Sequence, residues 1–490
     1  MVFTSFSYLL LFLPVVVLAS YLCRKYNHLL SIAWVTLASL GFYAFWEMSQ
    51  LPILSASILF NYTCGALIGT GGRFRKTYLF VGIAANIGLL GYFKYTNFFV
   101  NTLNMLREES WHVETIVLPL AISFFTFQQI AWLMDQYRSE APKCTFVEYV
   151  CAVTFFPHLI AGPIVRYHDL IPQFQAIKVL KPDWDIIAKG LFIIGCGVFK
   201  KIVIADTLAV YATLCFDQLE VLNMLQAWLA VLSYTMQIYF DFSGYCDIAI
   251  GSALLLNIHL PANFHSPYKA SSIREFWQRW HITLGSFLTR YLYFPLGGNR
   301  KGLVRTCGNI FLVMFLSGLW HGAGFGFILW GMLHGAAMVL QRGWNAAGLH
   351  VPAKFSTAIT FLFVALAWVF FRASDIDTAM KVYSACFGMT DVVLPRPLQP
   401  LLPDAWGITY LPTSKLFGVA RASFQETMLA LAGSMLCVFS AKEAGALWDK
   451  YAAKQSGVLY ILNFIAAVLL FVSFMKMLVV PYTEFIYFNF

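Results

Sequence analysis

Phe311-Leu-Val-Met-Phe-Leu-Ser-Gly-Leu-Trp-His-Gly-Ala-Gly-Phe-Gly-Phe-Ile-Leu-Trp-Gly-Met-Leu-His334 is the stretch that decides what kind of molecule this is. It is apolar almost throughout and long enough to cross a bilayer, whose hydrocarbon core takes about 20 such residues in a helix. Yet His321 sits near its middle, with Gly322, Gly324 and Gly326 directly after it. A polar group in hydrocarbon is costly unless paired or wetted, so an intramembrane histidine is a functional hypothesis. The plainer reading is a histidine hydrogen-bonded between packed helices. Each glycine weakens a helix by roughly 1 kcal/mol relative to alanine and lets another backbone or a ligand come close. His321 and His334 lie thirteen positions apart. On an unbroken helix that is ~20 Å along the axis and ~140° around it. They serve one point only if the helix breaks between them; otherwise His334 lies near the other membrane face as a packing residue.

The rest of the chain is of the same kind. Of 490 residues 59% are hydrophobic and only 12% charged, about half the charged share of soluble domains. This predicts an all-α, polytopic integral membrane protein. No Walker loop and no dinucleotide-binding glycine fingerprint is present. The net charge of +9 does not point to nucleic acid, because the basic residues sit in short clusters between apolar runs, as the positive-inside rule expects. Ten cysteines are scattered without a C-x-x-C pair, which predicts neither a disulfide framework nor a metal site.

The first run, Phe6 to Leu22, has no basic residue before it and Arg24 and Lys25 after it, the reverse of a cleavable signal. It reads as a retained helix with its N-terminus outside. Further spans are expected at 29–46, 51–68, 78–93, 116–133 and 186–205. The span at 116–133 is unusually polar, with Ser123, Thr126, Gln128 and Gln129, and either bridges helices or lines a cavity. The segment Phe155 to Pro163 is broken by two prolines and a glycine and reads as re-entrant, with His158 structural. From Met224 to Leu256 runs an apolar stretch longer than one crossing needs. In it Tyr239, Ser243 and Asp247 form one stripe at i, i+4, i+8, while Asp241 faces elsewhere. These four form a candidate supporting polar network, to which Trp320 beside His321 is added.

Residues 269–305 carry seven basic residues and one acid, Glu275, and are expected on the cytoplasmic side. Ile273, Phe276, Trp277, Trp280, Leu284, Phe287, Leu288 and Tyr291 recur at helical spacing, so an amphipathic helix at the interface is predicted, with His281 on the edge of its apolar stripe. The turn Gly297-Gly-Asn-Arg-Lys-Gly302 is glycine-rich and basic. It could hold phosphates through Asn299, Arg300 and Lys301, with Arg279 nearby; a plain cytoplasmic turn is the alternative. A span follows at 358–371, a proline-rich mixed loop at 372–425, spans at 427–440 and 458–480, and an aromatic tail. No internal repeat or domain boundary is visible, so residues 1–490 read as one domain.

Five motifs then occur in order: Phe156-Pro-His-Leu-Ile-Ala-Gly-Pro163, Tyr239-Phe-Asp-Phe-Ser-Gly-Tyr245, Phe276-Trp-Gln-Arg-Trp-His281, Pro295-Leu-Gly-Gly-Asn-Arg-Lys301 and Leu319-Trp-His-Gly322. Together they resemble the membrane-bound O-acyltransferase (MBOAT) family, in its bacterial alginate O-acetylation branch. The resemblance implies a ring of transmembrane helices with a thin centre, about ten to thirteen in number, with re-entrant and amphipathic segments. It implies that His321 is the essential residue of the W-H-G motif and that His281 is the second polar position. It also implies an acetyl donor in the cytoplasm, acetyl-CoA, with no tightly bound cofactor, and a bacterial inner-membrane location. The acetyl group would pass to a periplasmic SGNH-type acetyltransferase partner that modifies a polysaccharide such as alginate, peptidoglycan or cellulose. One departure stands out: where the family shows Arg-Asp-Tyr, this chain has Thr289-Arg290-Tyr291, so an ion pair expected there lacks its acid.

Chemistry agrees with that picture. A neutral imidazole at His321 can take the proton of an attacking hydroxyl, help worth roughly 10²–10⁴-fold. His281 could polarise the acyl carbonyl or position the donor. Two other readings compete. One is a D-alanine-exporting acyltransferase fed by a carrier protein. The other is a proton-relaying transporter, against which the lack of inverted repeats weighs.

Overall fold

Several of the helices begin where a side chain receives the first free N–H groups, as at Asn27, Thr145, Asp183 and Asn223. The structure, a computed structural model, describes residues 2–107, 111, 114–176, 182–349, 351–390, 393–401, 409–411, 421–452, 456–479 and 485–486. Helix α1 (Leu13–Tyr26) follows a π-helical turn and is capped off by α2 (His28–Trp46), whose Asn27 accepts from Leu29 N–H. Then come α3 (Leu51–Gly69), α4 (Arg75–Arg107), α5 (Ile122–Tyr137), α6 (Phe146–Thr154), α7 (Phe156–Leu159) and α8 (Tyr167–Ala176). The middle of the chain forms α9 (Trp184–Phe199), a π-helical turn at Lys200–Ala205, α10 (Asp206–Thr213) and the 32-residue α11 (Met224–Leu255). Beyond it lie α12 (Ile273–Arg279), α13 (Ile282–Leu288), α14 (Gly302–His321), α15 (Phe325–Ala346), α16 (Ala353–Arg372) and α17 (Ile376–Cys386). The last are α18 (Arg421–Ser440), α19 (Ala444–Ala452) and α20 (Ser456–Val479).

Among the described residues seven helices are long and apolar enough to cross a membrane, and the bent pair Phe424–Ser440 and Ala444–Tyr451 makes an eighth. Helices α11 and α15 are long enough but more polar on average. α11 runs through the interior and is buried along most of its length. In the proline-rich segment after Arg372 the described parts are α17 and a two-stranded parallel pairing of β1 (Val393–Pro395) with β2 (Thr409–Leu411). Pro403 and Pro412 lie outside the described residues, as does the aromatic tail apart from Phe485 and Ile486.

Two close helix pairings build the interior. Antiparallel α9 and α11 meet at glycines: a Cβ on Gly190 would sit 2.9 Å from the Gly251 carbonyl oxygen, and one on Gly197 would sit 2.7 Å from that of Gly244. Small residues are what allow backbones to approach so closely inside a membrane protein. Just beyond this ladder Lys200 pairs with Asp247 at 2.6 Å, and Lys201 with both Asp206 and Asp241 at 2.7 Å. The second pairing is α14 against α15. A Cβ on Gly318 would meet the Phe327 carbonyl at 2.4 Å, and one on Gly331 the Met314 carbonyl at 2.6 Å.

That pairing corrects the reading of the opening stretch as a single crossing. Phe311 to His334 is a helical hairpin, with His321 the last residue of α14 and the turn at Gly322–Gly324. The polar span also starts later than expected, at Ile122 after a left-handed Ala121. Its Gln128 and Gln129 bond to His158 and Tyr149, so they bridge helices. His158 uses both ring nitrogens, the other on the Ala152 carbonyl at 3.1 Å.

Candidate active site

Three segments meet around His321. The helix carrying it must find donors for its last carbonyls, and α4 supplies them. The buried Lys94 ammonium donates to the carbonyls of Trp320 (2.5 Å) and His321 (3.2 Å) and to Ser123 Oγ (3.3 Å), and the Tyr95 hydroxyl donates to the Leu319 carbonyl. A cation at a helix C-terminus also complements the helix dipole. The His321 ring is 4% exposed and is walled by Trp320, Trp330 and Phe371, with ring centroids 4.9, 5.1 and 5.3 Å away. Trp320 is fixed in turn by stacking on Phe127 at 5.0 Å, and Phe127 on Phe287 at 4.3 Å.

His281 arrives from the segment expected to be one interfacial helix. That helix is broken, and the break is where the histidine sits: His281 has φ 46° and ψ 52°, between α12 and α13. It does not lie on a surface stripe: it is fully buried, as are Trp280, Phe276 and Leu284. The free N–H groups that open α13 are taken by a residue distant in sequence: Ile282 N–H goes to the Asn263 carbonyl (3.0 Å) and Thr283 N–H to Asn263 Oδ1 (3.2 Å). The His281 ring lies 6.5 Å from that of His321 and 4.8 Å from Phe242.

His334 is corrected as well. The hairpin folds it back beside the same aromatic cluster, so it lies neither ~20 Å away nor at the other membrane face. It accepts from Trp277 Nε1–H at 3.2 Å, and its ring is 4.8 Å from Trp330. Trp330 therefore touches both histidines.

A cavity of about 1200 Å³ adjoins this cluster at Trp277 and Ser317, although none of the three histidines is part of its lining. Its lining includes Arg274, Arg290, Arg342 and Asn299, the whole of α13, and Ser317, one helical turn before His321. A smaller cavity of about 670 Å³ near Asp183 and His259 shares no lining residue with it.

The sequence candidates divide accordingly. His321, His281 and Trp320 are brought together. Tyr239 lies under the loop, its ring 6.2 Å from Trp280 and 5.7 Å from Phe264. Asp241 and Asp247 belong instead to the lysine pairs at the end of α9, and the Ile486 N–H also donates to Asp241 at 3.0 Å. Ser243 is buried on the same helix.

Of the expected donor-binding residues, Asn299 lines the cavity, while Arg300 and Lys301 are exposed and not part of its lining. Arg279 is held by Glu275 at 2.7 Å and by the His265 carbonyl at 3.2 Å. Partial burial opposes ionisation of Glu275, but hydrogen bonds from Ser271 and Arg279 hold its carboxyl below the usual range. The cations on the cavity wall are others. Arg274 and Arg290 were within the basic segment, but nothing in their spacing singled them out; Arg342 lies at the far end of α15. The acid missing beside Arg290 is supplied through space by Glu140, which accepts from the guanidinium, and by Asp135 of α5, which is 3.7 Å from it and accepts from the Tyr291 hydroxyl at 2.8 Å.

Residues 81–372 match the family model for the membrane-bound O-acyltransferase family. The chain is 43% identical over 427 residues to the "Peptidoglycan O-acetyltransferase" of Helicobacter pylori, covering 80% of this chain and 81% of that one. It is 39% identical over 445 residues to the "Probable alginate O-acetylase AlgI" of Pseudomonas putida, covering 88% and 87%. Against the "Teichoic acid D-alanyltransferase" of Bacillus subtilis the identity is 26% over 271 residues, 51% of this chain and 68% of that one.

Proposed function

This chain belongs to the membrane-bound O-acyltransferase family, and on that footing we propose how it works: it takes acetyl from acetyl-CoA on the cytoplasmic side of the bacterial inner membrane and passes it outward to acetylate polysaccharide hydroxyls. It is a multi-pass membrane O-acetyltransferase of the alginate and peptidoglycan type. The observation that carries the mechanism is the placement of His321. A buried imidazole stands at a helix break, next to a second histidine, one helical turn from a cavity that arginines also line.

A phosphate-bearing thioester suits that cavity: guanidinium groups such as Arg274 and Arg342 match phosphate oxygens, and the apolar lining along α13 suits an extended pantetheine-like arm. At the histidines the acceptor hydroxyl oxygen bonds to the acetyl carbon as the carbon–sulfur bond breaks. His321 accepts the hydroxyl proton and returns it to the leaving thiolate, so the imidazole ends neutral. Excluding water from an aromatic-walled site protects the thioester from hydrolysis. The acceptor class rests on the relatives: the peptidoglycan and alginate types are 43% and 39% identical to this chain, the teichoic-acid type 26%. A periplasmic SGNH-type acetyltransferase is the expected partner that completes delivery.

The test is transfer of radiolabelled acetyl from acetyl-CoA by protein in lipid nanodiscs, with the partner and an oligosaccharide supplied on the opposite face. His321→Ala should lose transfer by at least ~10²-fold while melting at the wild-type temperature. Transfer by the folded variant at the wild-type rate would exclude His321 as the base. Transfer only from a D-alanyl carrier protein would point to the teichoic-acid type.

A further inference from the structure

Asn263 lies on no helix and in none of the motifs that define the site, yet its side-chain oxygen is a focus of hydrogen bonds there. Oδ1 is 3.2 Å from Thr283 N, 3.0 Å from Thr283 Oγ1 and 3.1 Å from His281 Nδ1. A backbone N–H can only donate, so the atom facing Thr283 N must be the amide oxygen and not the nitrogen. The Asn263 amide nitrogen points instead to Cys246 Sγ at 3.5 Å, which agrees with that assignment. An oxygen cannot donate either, so the hydrogen between Asn263 and His281 belongs to the histidine. His281 Nδ1 carries the proton, and in the neutral ring Nε2 is left with a lone pair. That Nε2 is buried and has no hydrogen-bond partner among the described residues. A doubly protonated ring would also bury a positive charge in this largely aromatic site.

His334 is held the opposite way. It accepts from Trp277 Nε1–H, a group that can only donate, so its own Nδ1 is bare and Nε2 carries the hydrogen. The two histidines that flank His321 are thus opposite tautomers.

We propose that Asn263 is a positioning residue that holds His281 as the Nδ1–H tautomer, so that His281 offers the substrate a hydrogen-bond acceptor and not a polarising donor, the proton itself going to His321. This deepens the acetyltransferase reading and rests on it for the chemical role, though not for the tautomer. It replaces the expectation that His281 polarises the acyl carbonyl: the neutral ring has no N–H at Nε2 to give. The rings of His281 and His321 are too far apart for a direct hydrogen bond between them at 6.5 Å. The lone pair of His281 Nε2 is therefore not spent on His321 and is available to a hydrogen-bond donor that enters the site, such as the acceptor hydroxyl.

Nitrogen-15 chemical shifts distinguish protonated from bare imidazole nitrogens. Full-length protein labelled with [15N]histidine is measured at neutral pH, with His281 and His334 signals assigned by their loss in His281→Gln and His334→Gln. The expected spectrum has protonated Nδ1 and bare Nε2 at His281, and the reverse at His334, an internal reference. Asn263→Asp keeps an acceptor for all three donors and should keep both this pattern and acetyl transfer. Asn263→Leu should lose the His281 pattern and lower kcat at least ~10-fold with KM for acetyl-CoA nearly unchanged. Should that variant not fold, the wild-type and Asn263→Asp spectra carry the test. A proton on Nε2 of wild-type His281, or a folded Asn263→Leu with wild-type kcat, would overturn the proposal. If the wild type transfers no acetyl at all, the functional reading fails while the shifts still decide the tautomer.

Discussion

Lys94 shows what a single residue contributes to this site. From sequence it is a lone lysine in an apolar run; in the fold it ends a helix 226 positions away, donating to the carbonyls on either side of the His321 peptide bond. Lys94→Met would keep the stem and remove the donor. It should destabilise the protein by about 1–3 kcal/mol, the usual cost of leaving buried carbonyls unpaired, and lower transfer by displacing the ring. Thermal melting and acetyl transfer check both; an unchanged melting temperature would mean the carbonyls are satisfied without it. His321, His281 and Trp320 were legible because their motifs are local. Their partners Lys94 and Asn263 were not, because each acts across sequence separation and leaves no periodicity or spacing behind.

At the scale of elements, the helix types were readable, and so was the break at Phe155–Pro163, where prolines mark it; the break at His281 was not. Periodicity over 273–291 describes one amphipathic helix, and the chain does alternate correctly; it breaks at His281 because Asn263 receives the N–H groups of a new helix start. The hairpin of α14 and α15 likewise follows from contact between two helices at Gly318 and Gly331, which hydropathy cannot see. Gly318→Ala should therefore force the pair apart, since its Cβ would lie 2.4 Å from a backbone oxygen, and abolish most activity. Gly343→Ala on the same hairpin has open space around it and should be neutral or stabilise by up to about 1 kcal/mol. Melting temperatures and transfer rates of the two variants separate crowding from helix propensity. A Gly318→Ala protein as active and stable as Gly343→Ala would show that the close approach is dispensable.

For the whole molecule, the cavity is lined in large part by the basic segment, residues 269–305. If the arginines on the cavity wall hold donor phosphates, Arg274→Ala and Arg342→Ala should each raise KM for acetyl-CoA several-fold, by about 1 kcal/mol or more, with kcat retained. The Arg300→Ala/Lys301→Ala pair, on an exposed turn outside the lining, should change KM little. Steady-state kinetics decide; a KM effect confined to the double variant would return the donor site to the glycine-rich turn. Composition alone revealed a helical membrane protein, because 12% charged residues leave few alternatives. It could not reveal the cavity, which no single segment encloses.

The hairpin also settles a matter of parity. Because α14 and α15 lie antiparallel against each other, the chain leaves them on the side where it entered, whatever depth the turn reaches. Counting membrane sides by tallying apolar runs errs by one crossing wherever such a doubled-back pair is scored as a single passage, and every later loop is then assigned to the wrong compartment. Single cysteines at Asn299 and Asn345, one before the hairpin and one at its end, should react with an impermeant thiol reagent from the same face of sealed vesicles. Labelling from opposite faces would mean that the pair is not a hairpin in the membrane.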